Sequence, residues 1–256
     1  MIVDSLFEAR VRDITFRGGF GFEPGFYVSE VDGLLSGGEV TTDDVPRGFG
    51  PGAQDTDNRR EDPRIITLRG LIVAASMRDL GKMITQLGNL LVEEDDRAEF
   101  TWTEFEEWRF THVQRGTGWS IVRGRSTGTA SFSVRFRAAD QRVYATELQR
   151  GEWGVSVPVV NRGGYPAPVV LEVQGDSSVG YTVVGPRGAA LVVQRPIVSG
   201  SVHQYLSDEQ VLLVDGVPQV EGITRSDRID IPPGAWGYGI DHGCLVRASH
   251  RDTWIP

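Results

Sequence analysis

The chain has 256 residues, 39% of them hydrophobic and 24% charged, with a formal net charge of −9. That length bounds one or two domains at roughly 100–200 residues each, and the composition excludes a disordered or fibrous chain. The acidic balance tells against a nucleic-acid binder, which needs clustered Lys and Arg against phosphate; here Arg is interleaved with Asp and Glu, as between Asp55 and Arg64.

Most of the sequence reads as strands. Ala9 to Phe16 sets Val11 on one side and Arg10, Arg12, Ile14 and Phe16 on the other, a mixed polarity expected of an edge or interface strand. Gly33 to Asp62 is rich in Gly, Pro, Asp and Thr and has little apolar periodicity. It is expected to be a long loop, of the kind that is functional or disordered, and able to reach a neighbouring subunit. Arg64 to Val73 reads as a longer apolar strand. A helix is predicted from Met77 to Leu91, where Met77, Leu80, Met83, Ile84, Leu87, Leu90 and Leu91 form a broad apolar stripe. Ser76 is placed to cap it and Asp79 to meet its positive end. Gly81 and Gly88 lie on one flank of the stripe, marking either the close approach of another backbone or glycines tolerated under tertiary packing.

Phe100 and Trp102 share one face of Glu99 to Thr103, and Trp108 to Gln114 sets Thr111 and Val113 opposite Phe110. The clearest strand is Thr129 to Ala138, with Ala130, Phe132, Val134, Phe136 and Ala138 on one face and Ser131, Ser133, Arg135 and Arg137 on the other. From Tyr144 to Gly164 the texture becomes that of a linker, so the expected division is 1–150 and 151–256. Beyond it come short strands at Val169 to Val173, Gly180 to Val184, Ala189 to Gln194, Ser201 to Tyr205 and Val211 to Val214. Asp215-Gly216 is a two-residue hairpin signal. Trp236, Tyr238 and Ile240 alternate on one strand, with Leu245 to Ala248 pairing back across Asp241 to Gly243. Many short strands at this spacing predict a sandwich or jelly roll.

Candidates for chemistry are few. The single cysteine, Cys244, excludes an intrachain disulfide and a Cys-x-x-Cys zinc pair. His112, His203, His242 and His250 are not spaced as a metal pair, and Asp241 and His242 lie on a turn where their side chains need not converge. No Gly-x-Ser-x-Gly elbow and no phosphate loop occurs; Gly18 to Gly21 is followed by no helix, as dinucleotide binding requires. Glu93 to Asp96 reads as a solvated turn. Glu104, Glu106 and Glu107, adjacent in a hairpin loop, cannot flank a glycosidase cleft. Trp153, Tyr165, Trp236, Tyr238 and Trp254 fit core packing better than sugar stacking. No catalytic residue, cofactor or metal is expected. Met1 to Arg12 lacks a signal-peptide pattern and no stretch nears the ~20 apolar residues of a membrane span. The expectation is a protein made and used in the cytoplasm, or leaving it by a route other than secretion.

The organisation resembles the distal tail proteins of long, non-contractile-tailed bacteriophages. The likeness runs through Asp62-Pro63-Arg64-Ile65-Ile66-Thr67-Leu68-Arg69-Gly70, the helix, the Phe132 to Asp140 segment, Asn161-Arg162-Gly163-Gly164-Tyr165-Pro166-Ala167-Pro168, Leu213-Val214-Asp215-Gly216 and Ile231-Pro232-Pro233-Gly234. It implies a mainly β fold: a tail-tube-like N-terminal barrel or sandwich with one packed helix, then a galectin-like or jelly-roll sandwich. It implies a structural virion protein at the tail tip, assembled in the host cytoplasm. The subunits would form a homohexameric ring joining the tail-tube protein to the tip hub, near the tape measure and receptor-binding proteins. DNA would pass through the lumen without specific binding, and the membrane would not be entered. Asp43, Asp44, Arg47, Arg59, Arg60, Arg135 and Arg137 are the expected contacts between subunits or rings. No galectin sugar-binding signature accompanies the likeness; a carbohydrate-binding adhesin module is the alternative.

Overall fold

The computed structural model describes residues 5–36, 62–93, 96–103, 106–124, 128–219 and 221–256, with the backbone alone of 40–42, 45–46, 53–54, 59–61 and 104. It divides into two compact units, Met1–Val143 with Ile255–Pro256, and Tyr144–Trp254.

The first unit comprises β1 (Glu8–Val11), β2 (Ile14–Gly18), β3 (Gly25–Asp32), the short β4 (Val40–Thr42), β5 (Val45–Pro46), β6 (Ala53–Gln54) and β7 (Arg59–Glu61), then β8 (Arg64–Val73), α1 (Met77–Gly88), β9 (Ala98–Glu104), β10 (Glu107–Arg115), β11 (Ser120–Arg123) and β12 (Thr129–Ala138). Seven strands run in the order β12-β8-β3-β2-β1-β9-β10. Gln114 and Arg115 of β10 then pair with Arg137 and Phe136 of β12, closing the wall into a barrel; β11 flanks β12 outside the closure. The period-two faces read from the sequence are the inner and outer faces of this wall. Ala130, Phe132, Val134, Phe136 and Ala138 are all buried, and Phe132 meets Phe16 and Phe26 at ring separations of 5.8 and 6.5 Å. Phe100 packs against Phe136 at 5.4 Å and Trp102 at 5.7 Å.

The single strand expected from Ala9 to Phe16 is instead a hairpin. Val11 pairs with Ile14 across Arg12-Asp13, and Arg12 takes a φ of 52°. The turn flips the pleat, so Ala9, Val11, Ile14 and Phe16 all face inward and are buried. The expected loop from Gly33 to Asp62 also carries backbone ladders: β4 pairs with β7 and, nested within, β5 with β6. Such pairing rests on backbone hydrogen bonds and needs no apolar periodicity.

Helix α1 starts where Ser76 was placed to cap it: the Asp79 amide donates to Ser76 Oγ at 3.1 Å. It ends at Gly88 rather than Leu91, because Asn89 caps it and Leu91 has turned to a φ of 52°. Leu80 and Leu87 are its buried anchors. A Cβ built at Gly81 or Gly88 meets nothing within 4 Å, so among the described residues no other element's backbone packs closely against either glycine. The helix has no basic residue in its last turn. Arg115 of β10 supplies that charge: its Nη1 donates to the carbonyls of Gly88 at 2.6 Å and Leu90 at 3.2 Å. The same guanidinium lies 4.1 Å from the Trp119 ring centroid, and Trp119 Nε1 donates to the Arg135 carbonyl at 2.6 Å.

The strands of the remaining chain are β13 (Val143–Ala145), β14 (Gln149–Arg150), β15 (Ser156–Asn161), β16 (Val169–Gln174), β17 (Tyr181–Val184), β18 (Ala190–Val193), β19 (His203–Leu206), β20 (Val211–Val214), β21 (Val217–Gln219), β22 (Ile223–Ser226), β23 (Gly234–Ile240), β24 (Leu245–His250) and β25 (Thr253–Trp254). One sheet of the second unit runs β14-β24-β16-β19-β20-β21 and the other β15-β23-β17-β18-β22. Both give side chains to one core, including Leu171, Val173 and Tyr205 from the first sheet and Val159, Val183, Leu191 and Tyr238 from the second. The unit is therefore a two-sheet sandwich. Asp215 and Gly216 have φ values of 49° and 82° and close the β20–β21 hairpin. Two readings are corrected. The linker-like stretch contains β15, an edge strand of its sheet, where Pro158 is tolerated because no ladder partner needs its missing N–H. β24 pairs with β14 and β16 rather than folding back on β23, so Asp241 to Cys244 is an arch between sheets that buries Cys244 in the core.

Candidate assembly surface

Among the described residues, no three His, Cys, Asp or Glu side chains gather where a metal could sit. The four histidines are dispersed. His112 stands edge-on to Phe110, ring centroids 5.6 Å apart. His203 is buried with Nδ1 3.2 Å from the Tyr181 hydroxyl; burial first, then Arg195, holds its pKa below the ordinary value. His250 is buried with Nε2 3.0 Å from the Val160 carbonyl. His242 and Asp241 do converge, at 3.3 Å, but on a half-exposed turn. Glu106 takes a φ of 67° in the β9–β10 turn, and Glu107 lies 3.9 Å from Arg109. Asp96 pairs with Arg12. Burial holds the Cys244 thiol above its usual pKa, with Asp241 and Asp176 adding to the shift, the reverse of a reactive thiolate.

The aromatic residues of the second unit are used internally. Tyr238 is fully buried and donates to the Ile229 carbonyl, and Trp236 packs against the core while its Nε1 donates to the Pro233 carbonyl at 3.2 Å. Trp153 lies 4.4 Å beneath the Arg247 guanidinium. Arg247 Nε donates to Glu172 at 2.8 Å and Arg150 Nη2 at 2.9 Å, with Gln204 at 3.3 Å. Burial alone would raise the Glu172 pKa; the hydrogen bonds from Arg247, Arg150 and Gln204 outweigh it and leave the carboxyl below its ordinary value. Every polar group in this cluster is held by another, as a structural network requires.

What the barrel offers is surface. The outer face of β11-β12-β8-β3 carries the expected Arg135 and Arg137, both exposed. Arg135 pairs across the strands with Thr67, and Arg137 with Ile65, itself 45% exposed. Arg69 and Glu30 make an exposed ion pair at 2.7 Å on the same face. Of the other expected contacts, Asp43, Asp44 and Arg47 lie outside the described residues, as do the side chains of Arg59 and Arg60; the latter two sit on β7.

The sequence-based search missed the β2–β3 connection at 19–24. β2 and β3 are parallel, so the chain must double back beside the wall. It does so by folding over Tyr27: the Tyr27 hydroxyl donates to the Glu23 carbonyl at 2.9 Å, and a Cβ at Gly21 would fall 2.3 Å from that hydroxyl. On either side of this pinned glycine, Phe20 is 77% and Phe22 103% exposed. The visible signal was a Phe-Gly-Phe flanked by Gly and Pro, read only as a failed dinucleotide loop.

No family model and no curated protein matches the sequence. Solved structures do match. The Dit protein of phage SPP1, described as a paradigm of the hub adsorption apparatus in phages infecting Gram-positive bacteria, is 15% identical. It aligns over 96% of this chain and 98% of its own with a TM-score of 0.72. The phage P2 baseplate in its activated conformation, solved with Ca and with Sr, gives TM-scores of 0.56 and 0.51; both are 8% identical and cover 95% of this chain and 97% of theirs. Over nearly its whole length, then, this chain has the fold of the SPP1 Dit protein.

Proposed function

We propose that the chain is a structural protein of a bacteriophage tail tip. The observation that carries this reading is the length of the correspondence: 96% of this chain follows a hub adsorption protein, through both the barrel and the sandwich. In this reading residues 1–150 form a homohexameric ring between the tail tube and the tip hub, enclosing the path of the DNA. Residues 151–256 form a galectin-like sandwich that projects outward and docks other tail proteins. The net charge of −9 suits a conduit through which DNA slides, because like charge lowers counterion-driven adhesion. Arg135 and Arg137, on the outer face of the barrel wall, belong to the surface that meets a neighbour or the lumen. The role is assembly rather than catalysis, in keeping with dispersed histidines and a satisfied Glu172 network.

Light scattering on the purified chain, with negative-stain images of the same sample, tests the proposal. Six-fold rings are expected, alone or when the isolated tube and hub proteins are added. Particles of another symmetry, or a chain that stays monomeric with both proteins present, would sink it.

A further inference from the structure

Resting on the ring reading above, we propose that Phe20 and Phe22 of one copy dock against the β11 edge of a second copy. Val122 and Arg123 receive them there, joining one barrel to the next.

Strand register places both halves. Val122 pairs with Ser131, Ser131 with Leu71, and Leu71 with Tyr27. One row therefore crosses the outer face from β11 to β3, three strand spacings or about 14 Å wide. At its β3 end the row is covered by the loop pinned on Tyr27. At its β11 end Val122 is 59% exposed, and among the described residues β11 has a strand partner on one side only. The loop beside β3 and the β11 edge are different surfaces, so a contact between them is heterologous, the type that builds rings or filaments rather than closed pairs.

The chemistry is complementary. Glu23 is the one charged residue of the loop at 19–24, and Arg123 stands beside Val122; both are exposed, and neither makes an ion pair among the described residues. A membrane surface suits the loop less, because it has no cation to meet anionic headgroups. The area is of the right order. A phenylalanine offers roughly 150–250 Å², so these two exposed rings present about 350 Å², close to half of the ~800 Å² each partner gives to a stable interface. The loop is also preorganised, its backbone fixed by Gly21 and Glu23 on Tyr27, which lowers the ordering cost of docking.

The full chain is studied by light scattering over a concentration series. Phe20→Ser/Phe22→Ser is expected to leave the circular dichroism unchanged and to weaken assembly about 100-fold, as loss of paired aromatic anchors does. Glu23→Arg and Arg123→Glu are each expected to weaken it, and the two in one chain to restore it. Phe22→Cys with Val122→Cys is expected to give a ladder of disulfide-linked chains on mild oxidation. Assembly of the double serine variant at wild-type strength would overturn the inference, as would a charge swap without rescue or a wild-type chain that stays monomeric even with the isolated tube and hub proteins present. Six-fold rings of the serine variant would overturn this contact and leave the tail-tip role standing; rescue by the charge swap in a particle that is not six-fold would do the opposite.

Discussion

Arg115→Met tests whether the barrel holds its helix through one charge. The guanidinium donates to the Gly88 and Leu90 carbonyls at 2.6 and 3.2 Å and stacks on Trp119 at 4.1 Å. Methionine keeps an aliphatic stem and removes all three contacts. Hydrogen bonds to a charged group contribute about 1.5–3 kcal/mol, a half-exposed cation–π contact about 0.5–1 kcal/mol, and the charge at the helix C-terminus about 0.3–1 kcal/mol. Because water replaces part of the lost bonding, the expected net cost is about 2 kcal/mol, or roughly a 30-fold rise in helix opening. Native-state hydrogen exchange reads this directly: amides near the C-terminus of α1 should exchange faster, while those of β16 in the other unit should not change. Arg115→Lys keeps the charge but loses the planar stack, and should fall between the two. Helix amides protected equally in wild type and Arg115→Met would refute the capping argument.

Leu87→Asp buries a carboxylate where the side chain is fully enclosed; a loss above about 4 kcal/mol is expected, seen as missing near-ultraviolet circular dichroism or an insoluble chain. Gly70→Ala places a Cβ 1.8 Å from the Tyr27 carbonyl oxygen, so β3 and β8 must part; a cost of about 3 kcal/mol and a fall of roughly 10 °C in the melting midpoint are expected. Glu172→Gln weakens the contacts to Arg150 and Arg247 and should cost about 2 kcal/mol at neutral pH. Since the folded pKa of Glu172 lies below its ordinary value, that contribution is present above the ordinary value and lost as pH falls through the depressed one. The gap in melting midpoint between wild type and Glu172→Gln should therefore close in acid.

What the sequence revealed depended on how local the physics was. Thr129 to Ala138 was legible because one wall of the barrel separates core from outer face, and period two records that separation directly. Ser76 was legible because capping is settled within three residues. The β1–β2 hairpin was hidden because Arg12-Asp13 lacks the Gly or Asn that usually marks such a turn. The pairing of β24 with β16 spans more than seventy residues, and proximity to β23 in sequence pointed to the wrong partner. Arg115 was hidden too: its partners lie 25 and 27 residues away, and the only sign was a helix without a basic last turn. The exposure of Arg135 and Arg137 on the outer face of the wall was legible from periodicity, whereas the aromatic loop became visible only once Tyr27 was seen to pin it.

The barrel passes from a buried to an exposed phenylalanine within four residues of chain. Phe16 on β2 is fully buried, its ring 5.9 Å from Phe26; Phe20, just past the end of the same strand, is 77% exposed. Phe16→Ser removes a core aromatic and leaves a cavity, for which a cost of about 3–5 kcal/mol is expected, enough to unfold a marginal unit. Phe20 is mostly exposed in the single chain, so the stability of Phe20→Ser should stay within about 0.5 kcal/mol of wild type. The two variants share a chemical change and differ only in where the strand ends, so their comparison isolates position from residue type. Equal destabilisation by both, measured by thermal melting of dilute chain, would mean that the loop belongs to the core and is not a surface held ready for a partner.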